Sequence, residues 1–413
     1  MSTTTPRVLV SGAGIAGLAL ALQLIRAGIR TTVVERAAAP RPGGQAVDLR
    51  GASREVAERM GLLPGIERRR VHEIGMSYVD ARGRVFGRMS MADFDGNGAV
   101  AEIEIARGDL AEVLRESLAE ADADAPGLLE VRYGDRITAL EQHDDAVDVS
   151  FERAASERYD LVVGADGVHS ATRRLAFGAE ERFAHALGGY AAFFTLPTPA
   201  DIEDGWFTMR FVPGIAFGIR PDRDPSTSKA ILTIRADRNP ALRGDRGTQQ
   251  ALISELLEGA GWHADTIIDA MADADDFYFD ELVRIDLDSP VAGRVVLLGD
   301  AASCGSPMTG MGTATALIGA HLLAARIVAR PDDLPGALAA YAADIAPFAE
   351  VGKKIPYGGI ERMVPASRFG AAVSRMLVRV TLSKPFRPLM RRAFAAGGTE
   401  LALPTVEMSE PVR

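Results

Sequence analysis

Apolar and polar positions change their period several times near the start of the chain. The segment 7–10 is apolar and β-branched, residues 15–27 repeat apolar side chains at helical spacing, and residues 31–34 again predict a strand. A glycine-rich turn separates the first strand from the helix. Strand, helix and strand in this order predict a βαβ unit, which requires a parallel sheet and therefore an α/β fold.

The same patterns predict further helices and strands downstream. Helical spacing at residues 53–60 ends at Gly61, and a second helix is predicted at residues 109–121. Residues 74–80 and 85–89 alternate as a hairpin would. Three more strands, which we expect to return the chain to the first sheet, are predicted at residues 137–140, 147–151 and 161–163.

The pattern differs between about residue 180 and residue 285. Short alternating runs at 206–212, 216–220 and 230–235 are separated by Gly, Pro and Asp, which is typical of an antiparallel sheet. An apolar strand at 295–298 and a long helix at 312–329 then resume the first pattern. We therefore predict a sheet domain inserted into the α/β fold.

These changes predict three regions. Residues 1–179 and 286–350 form a nucleotide-binding domain, with segment 74–105 contributing to the substrate layer; residues 180–285 form a substrate-binding domain; residues 351–413 form a C-terminal helical segment and tail. The last region holds 11 Lys and Arg against 4 Glu, a charge of +7. Because the whole chain has a net charge of −10, residues 1–350 carry a charge of −17. Such a tail docks on the acidic body or binds a membrane surface, and we favour docking.

Composition excludes several classes of protein. A chain of 413 residues with 47% hydrophobic content buries a large core and is not a disordered scaffold, and a net charge of −10 argues against a nucleic-acid partner. The chain has one cysteine, Cys304, so we predict no intramolecular disulfide. Its six histidines are scattered without ligand spacing, so we predict no metal site. The chain shows no signal peptide and no run of 18 apolar residues, so we expect a cytoplasmic protein without a membrane span.

The first turn carries a nucleotide-binding pattern. Gly12, Gly14 and Gly17 form G-x-G-x-x-G between strand and helix, where they permit a tight turn and a close approach to a pyrophosphate. Glu35 ends the second strand, placed to bind ribose hydroxyls, and favours FAD or NAD over NADP. The alternative is a glycine-rich turn without a ligand. The candidate residues here are Gly12, Ala13, Gly14, Ala16, Gly17, Glu35 and Arg36.

Two later segments indicate which nucleotide is bound. They are Asp160–Arg173 (DLVVGADGVHSATR) and Gly299–Gly312 (GDAASCGSPMTGMG). With G-x-G-x-x-G they resemble the three fingerprints of the para-hydroxybenzoate hydroxylase family of flavoprotein monooxygenases. The resemblance implies a Rossmann-like FAD-binding domain of the GR2 type with a mixed sheet, an inserted antiparallel substrate domain, and a monomer or homodimer.

The resemblance also implies a reaction. NAD(P)H, a transient co-substrate, reduces FAD, and oxygen is then transferred through a flavin C4a-hydroperoxide to an aromatic or polycyclic small molecule. Since the cofactor carries this chemistry, we predict cofactor contacts and no catalytic acid or base. The alternatives are a flavin-dependent reductase or dehydrogenase without oxygen transfer and a non-catalytic flavin-binding or ligand-binding protein.

Family roles carry over to particular residues. Asp300 matches the aspartate that binds the ribityl chain, Arg107 matches an arginine that contacts FAD, and Asp166 belongs to the fingerprint that supports FAD and the approach of NAD(P)H. The alternatives are an exposed helix-start arginine for Arg107 and a turn cap for Asp166. The third fingerprint contributes the candidates Gly299, Asp300, Pro307, Gly310, Met311 and Gly312, the last two through backbone N–H groups near the flavin pyrimidine.

Residues 41–49 (RPGGQAVDL) resemble a segment of tetracycline-inactivating monooxygenases. The resemblance assigns Arg41 to NADPH and Asp48 to FAD, although the glycine pair is offset by one position. A solvated loop charge and a turn cap are the alternatives. This similarity favours a polyketide-like or antibiotic-like substrate.

Three features of the chain leave its chemistry open. The family commonly has His and Gln where this chain has Ser303 and Met311, which raises the two alternative functions. Cys304 lies in the same loop, and we interpret it as a buried small side chain and not as a nucleophile. A set of aromatic residues either lines an apolar pocket or forms ordinary core: Phe193, Phe194, Trp206, Phe207, Phe211 and Phe217.

Overall fold

The computed structural model describes residues 5–40, 43–94, 103–355, 358–386 and 401–405. Its strands are β1 (Val8–Ser11), β2 (Thr31–Glu35), β3 (Ala46–Leu49), β4 (Gly75–Val79), β5 (Val85–Ser90), β6 (Ile103–Ala106), β7 (Leu129–Tyr133), β8 (Ile137–Gln142), β9 (Val147–Phe151), β10 (Glu157–Tyr159), β11 (Leu161–Gly164), β12 (Ala184–Pro197), β13 (Trp206–Val212), β14 (Ile215–Pro221), β15 (Thr227–Arg235), β16 (Tyr278–Ile285), β17 (Val291–Ala292) and β18 (Val295–Leu297). Its helices are α1 (Ile15–Arg26), α2 (Gly51–Arg59), α3 (Leu63–Arg68), α4 (Arg107–Asp124), α5 (Ala171–Phe177), α6 (Arg246–Leu257), α7 (Ala264–Asp273), α8 (Gly312–Ala329), α9 (Leu334–Gly352), α10 (Ile360–Met363) and α11 (Arg368–Thr381).

The first sheet has the order β17-β18-β11-β1-β2-β7. Its pairs are parallel except for β17 with β18, so the sheet is mixed. Helix α1 is buried from Ile15 to Ile25 and packs against α8 and α4, because an apolar helix beside a parallel sheet must be covered on both sides. The predicted βαβ unit and the α/β fold class are confirmed.

Two predicted strands lie elsewhere. We expected residues 137–140 and 147–151 to return to the first sheet, but β8 and β9 pair with β10 in a separate antiparallel sheet, and only β11 returns. The burial patterns explain the difference. All four residues of β11 are buried, as a central parallel strand requires, whereas β8 is largely exposed and β9 alternates between buried and partly buried positions. Strand β7, which we did not predict, forms the edge beside β2.

The second large sheet has the order β16-β12-β15-β14-β13-β4-β5. Its pairs are antiparallel except for β13 with β4, which is parallel. The hairpin β4–β5 therefore joins this sheet, whereas β6 pairs with β3. The division of the chain into domains stays a prediction.

The two faces of this sheet have different surroundings. Phe194 and Phe217 are fully buried in a core shared with α6 and α7, two helices that we did not predict. Phe193 and Phe211 lie on the opposite face, in a cluster that includes Met308 of the third fingerprint. Successive side chains of a strand point to opposite faces of the sheet, so the neighbours Phe193 and Phe194 of β12 lie on opposite sides.

The predicted long helix is α8, with the bounds expected from the sequence. It is long and apolar enough to cross a membrane, but 72% of it is buried inside the protein, where it packs against α1 and α9. Near the C-terminus, Val378 and Leu382 lie against Gly87 of β5, so α11 rests on the second sheet. Residues 387–400 and 406–413 of the predicted tail lie outside the described residues.

We expect Phe217→Ala to lower the free energy of unfolding by about 3–5 kcal/mol, because it leaves a cavity in a core that cannot collapse fully. Phe369→Ala on α11, where the ring is 80% exposed, should change it by less than about 0.5 kcal/mol. Urea denaturation of both variants measures the difference. Equal effects would show that the covered face of the sheet is not a packed core.

Candidate flavin site

The glycine turn after β1 has two positions that only glycine fits. Gly12 has φ +112°, and a Cβ there would lie 2.4 Å from the carbonyl oxygen of Ala165. A Cβ on Gly17 would lie 2.0 Å from the carbonyl oxygen of Gly12. A Cβ on Gly14 would meet nothing within 4 Å, so this glycine leaves space beside the first turn of α1. That turn needs acceptors for its free N–H groups, and a pyrophosphate fits the space.

Glu35 closes the same turn from the end of β2. Its carboxylate accepts hydrogen bonds from the backbone N–H groups of Ala13 (3.0 Å) and Ala37 (2.8 Å). Each carboxylate oxygen keeps a further lone pair, which a ribose hydroxyl can use. Arg36 is exposed beside it.

The third fingerprint approaches this turn from β18. A Cβ on Gly299, which has φ +61°, would lie 3.0 Å from Cβ of Ala16, so the two fingerprints are in contact. The carboxylate of Asp300 lies 3.4 Å from where Cβ of Gly312 would be. Asp300 therefore stands beside the N-terminus of α8, where the helix dipole and free N–H groups favour negative charge.

The loop of the third fingerprint is held by its own backbone turns. Pro307 is exposed and begins a 3-10 turn, and Gly310 ends the turn in the left-handed region with φ +66°. The N–H of Met311 donates to Oγ1 of Thr309 (3.3 Å), and its side chain is partly buried. The N–H group of Met311 thus has a partner within the protein, and the contacts of Met311 and Gly312 with the flavin stay predictions.

Arg107 and Asp48 complete the set. Arg107 begins α4 and is exposed, with Cβ 3.3 Å from where Cβ of Gly44 would be. Burial raises the pKa of Asp300, and Arg107 lies near enough to oppose that rise. Asp48 lies 3.8 Å from the Cβ position of Gly310 and is paired with Arg50 at 2.7 Å. Arg41 lies outside the described residues.

Asp166 is used within the chain. Its carboxylate accepts hydrogen bonds from the hydroxyl of Ser170 and from N–H and Oγ1 of Thr172 (2.9 and 3.0 Å). It thereby fixes the start of α5, which is the turn-cap interpretation. The predicted contact of Asp166 with the cofactor stays a prediction.

Arg173 joins the second and third fingerprints. Its side chain is fully buried and donates to the carbonyl oxygens of Ala301 (3.0 Å) and Val168 (2.6 Å). Glu180 lies 3.7 Å away and partly balances the charge. A buried guanidinium is stable only with such partners, so this arginine fixes the position of the loop after β18.

A group of side chains that we did not predict from the sequence extends from the second fingerprint to the second sheet. His169 contacts Glu180 through Nδ1 (2.8 Å) and Asp280 through Nε2 (3.0 Å), and the hydroxyl of Tyr278 donates to Asp280 (3.0 Å). Membership of His169 in the fingerprint was the available signal. Its partner Asp280 is 111 residues away, a pairing that only the fold reveals.

Cys304 is buried and has no nucleophilic setting. Its Sγ accepts a bond from the N–H of Ser306 (3.4 Å), and burial, with Asp300 nearby, raises the pKa of the thiol. Ser303 is partly buried next to it. In the described part of the chain, no group of three or more His, Cys, Asp or Glu side chains is arranged to hold a metal ion.

The fold and this site define a class: a dinucleotide-binding flavoprotein whose second sheet faces the cofactor loop. The family model described as "FAD binding domain" matches residues 5–351. The chain is 38% identical over 381 residues to an uncharacterised protein of Mycobacterium tuberculosis (90% of this chain, 99% of the relative). It is 31% identical over 404 residues to the FAD-dependent monooxygenase asL4 of Sarocladium schorii (91% and 92%).

Among solved structures, the tetracycline destructase Tet(55) superposes with a TM-score of 0.79 at 29% identity, covering 98% of this chain and 100% of that one. The chain belongs to the FAD-binding family named above, and it is an FAD-dependent monooxygenase of the aromatic hydroxylase type. The predicted family, fold class and FAD cofactor are confirmed. The contacts of individual residues with FAD stay predictions.

We expect Gly14→Ala to raise the Kd for FAD by roughly tenfold or more, because a methyl group would occupy the space left for the pyrophosphate. The apoprotein should lose at most about 1 kcal/mol of stability, since the new Cβ meets no protein atom. Gly17→Ala is the matched control and should destabilise the apoprotein itself. Fluorescence titration with FAD and thermal unfolding separate the two effects; unchanged FAD affinity in Gly14→Ala would contradict the assignment.

The histidine between two carboxylates predicts a pH dependence of stability. The hydrogen bond to Asp280 is the main cause that raises the pKa of His169 above 6.5; burial opposes it and Glu180 adds to it. A raised folded-state pKa stabilises the protein below the unfolded value, and the stabilisation is lost as pH rises through the folded-state value. His169→Gln should therefore cost most near pH 6 and progressively less at alkaline pH.

Urea denaturation over a series of pH values measures this cost. His185→Gln is the control. The side chain of His185 is half-exposed, and its ring nitrogen lies 3.7 Å from the carboxylate of Asp286, a longer contact than those of His169. A cost for His169→Gln that is the same at every pH would show that the imidazole is not charged between its two carboxylates.

Proposed function

We propose that this enzyme hydroxylates an aromatic or polycyclic small molecule of polyketide or antibiotic type in the cytoplasm, with NAD(P)H and O2 as co-substrates. The observation that carries the proposal is the apolar face of the second sheet, which meets the third fingerprint at Met308. Phe193 and Phe211 lie on that face, beside Met209 and Ile231. A flat apolar ligand bound there would lie next to the cofactor loop.

The residues present fit FAD. The open side of Gly14 and the first turn of α1 would take the pyrophosphate, Glu35 a ribose, and Asp300 the ribityl chain. Arg107, exposed near Asp300, would add a positive charge. When bound, the cofactor supplies the hydride acceptance and the oxygen activation that no side chain provides.

The protein's own task is to position the substrate and to exclude water. Phe193 is nearly buried and stacks on Tyr278 with ring centroids 5.8 Å apart, which gives the site a flat wall. The cluster continues through Ile360 and Val364 of the C-terminal segment, which are buried with Phe193 on the same face. An enclosed apolar site protects a reactive oxygen species from water.

The substrate class is supported by similarity as well as by the site. Tet(55) is a tetracycline destructase by its name, and this chain matches it along nearly its whole length. A polycyclic, hydroxylated ligand fits an apolar wall of aromatic side chains. The use of NAD(P)H, with Arg41 as a contact, and a monomeric or homodimeric state are parts of the proposal that rest on the sequence.

The test is NADPH oxidation by the purified holoenzyme, with and without a panel of polycyclic phenols. We expect at least one phenol to stimulate oxidation roughly tenfold or more and to gain one hydroxyl, with matching consumption of O2. Phe193→Ala should weaken coupling, so that more of the O2 appears as hydrogen peroxide. Phe369→Ala, on an exposed position of α11, is the control.

The other outcomes separate the alternative functions. Stimulated NADPH oxidation without oxygen in the product would indicate a reductase or dehydrogenase. Bound FAD that NADPH reduces slowly, whatever phenol is present, would indicate a flavin-binding protein without monooxygenase turnover on this class of substrate. Either result would overturn the proposal.

A further inference from the structure

We propose that Tyr278 determines specificity by accepting a hydrogen bond from a hydroxyl group of the substrate, with Asp280 and His169 as the residues that turn its phenol proton away from the ligand. The inference rests on the proposed function, because it assumes that a phenolic substrate binds on the apolar face of the second sheet. It adds a recognition rule: the site selects a hydrogen-bond donor on the ligand.

The direction of the hydrogen bonds carries the argument. The hydroxyl of Tyr278 lies 3.0 Å from Oδ2 of Asp280, and Oδ1 of Asp280 lies 3.0 Å from Nε2 of His169. A carboxylate has no proton to give, so the phenol must donate. The phenol has a single proton, and once that proton is committed to Asp280 the oxygen can only accept from a further partner.

The charges of the group keep this direction fixed at neutral pH. Burial alone would raise the pKa of Asp280, but the hydrogen bond and charge of His169 outweigh it and lower that pKa, so the carboxylate stays ionised. The hydrogen bond to Asp280 is the main cause that raises the pKa of His169, and each ring nitrogen of His169 lies within hydrogen-bond distance of one carboxylate, that of Glu180 or that of Asp280. Burial, with Asp280 next to it, raises the pKa of Tyr278 far above neutrality, so the phenol keeps its proton.

The position of Tyr278 makes its oxygen available to a ligand. The residue is 42% exposed although its ring stacks on Phe193 at an interplanar angle of 15°. Arg107 and Asp300 both act on its pKa, so the ring lies near the two side chains that we assign to FAD. Tyr278 thus presents a polar acceptor at the edge of the apolar cluster around Phe193, near the residues that we assign to FAD.

Such an arrangement discriminates between closely related ligands. A hydroxyl group on the substrate satisfies the acceptor, whereas a methyl ether at the same position leaves it buried and unpaired. Sites built to bond a hydroxyl reject analogues that lack it more strongly than apolar pockets reject a change of size. The ether is the more apolar molecule, so a pocket without this acceptor would favour the ether.

The experiment compares 2-naphthol with 2-methoxynaphthalene as probes of the oxidised holoenzyme, with Kd taken from the perturbation of the flavin spectrum. We expect the wild-type enzyme to bind 2-naphthol roughly tenfold more tightly than the ether. Tyr278→Phe should abolish or reverse that preference while the flavin spectrum stays unchanged. Tyr159→Phe, in a buried tyrosine of β10, is the matched control and should keep the preference.

A second variant tests the direction of the bond with the tyrosine in place. In Asp280→Asn, the amide oxygen would accept from His169, and the amide N–H group would then point at the phenol oxygen and turn its proton outward. We expect this variant to lose the preference for 2-naphthol as well. It also keeps the inference testable where Tyr278→Phe fails to fold.

The outcomes distinguish this inference from the proposed function. Stimulated hydroxylation of phenols together with an unchanged preference in Tyr278→Phe would overturn the role of Tyr278 and leave the proposed function intact. If neither probe perturbs the flavin, the inference fails, and the panel of phenols decides separately whether the proposed function fails with it. Lost preference in both variants, with the control unaffected, supports it.

Discussion

The buried guanidinium of Arg173 fixes the arrangement on which the site depends. It donates to the carbonyl oxygens of Ala301 and Val168 and is fully shielded from solvent. A charge in that position has a high cost of desolvation unless its bonds are made, so the loops of the second and third fingerprints must lie where those oxygens meet it. Four residues earlier, His169 ties the same segment to Asp280 of the second sheet.

Contacts at the other end of this segment extend the constraint to the first fingerprint. Gly12 lies against Ala165 and Asp166 so closely that no side chain fits, and Gly299 lies against Ala16. Three segments that are far apart in the sequence are therefore in direct contact around one space. We propose that FAD occupies this space, which all three fingerprints border.

Local periodicity was enough to predict part of the fold. The first βαβ unit and α8 were predicted nearly residue by residue, because their apolar spacing and flanking glycines are local signals. The placement of β8 and β9 was wrong, since strand pairing depends on distant partners and on which faces are covered.

The sequence also left open which aromatic residues form core. Helices α6 and α7 decide this for Phe194 and Phe217, which they cover, whereas Phe193 lies in a separate buried cluster on the other face. The chain of bonds from Glu180 to Tyr278 could not be predicted, because it joins residues that only the folded sheet brings together.

Hydrogen–deuterium exchange of the apoprotein and of the FAD-loaded protein tests the central claim, that the second fingerprint connects the cofactor site to the second sheet. We expect FAD to slow exchange at residues 12–17 and 299–312, and also at residues 166–173 and in β16, while the separate sheet of β8, β9 and β10 exchanges as before. Protection confined to the glycine turn, or no protection at all, would contradict this account.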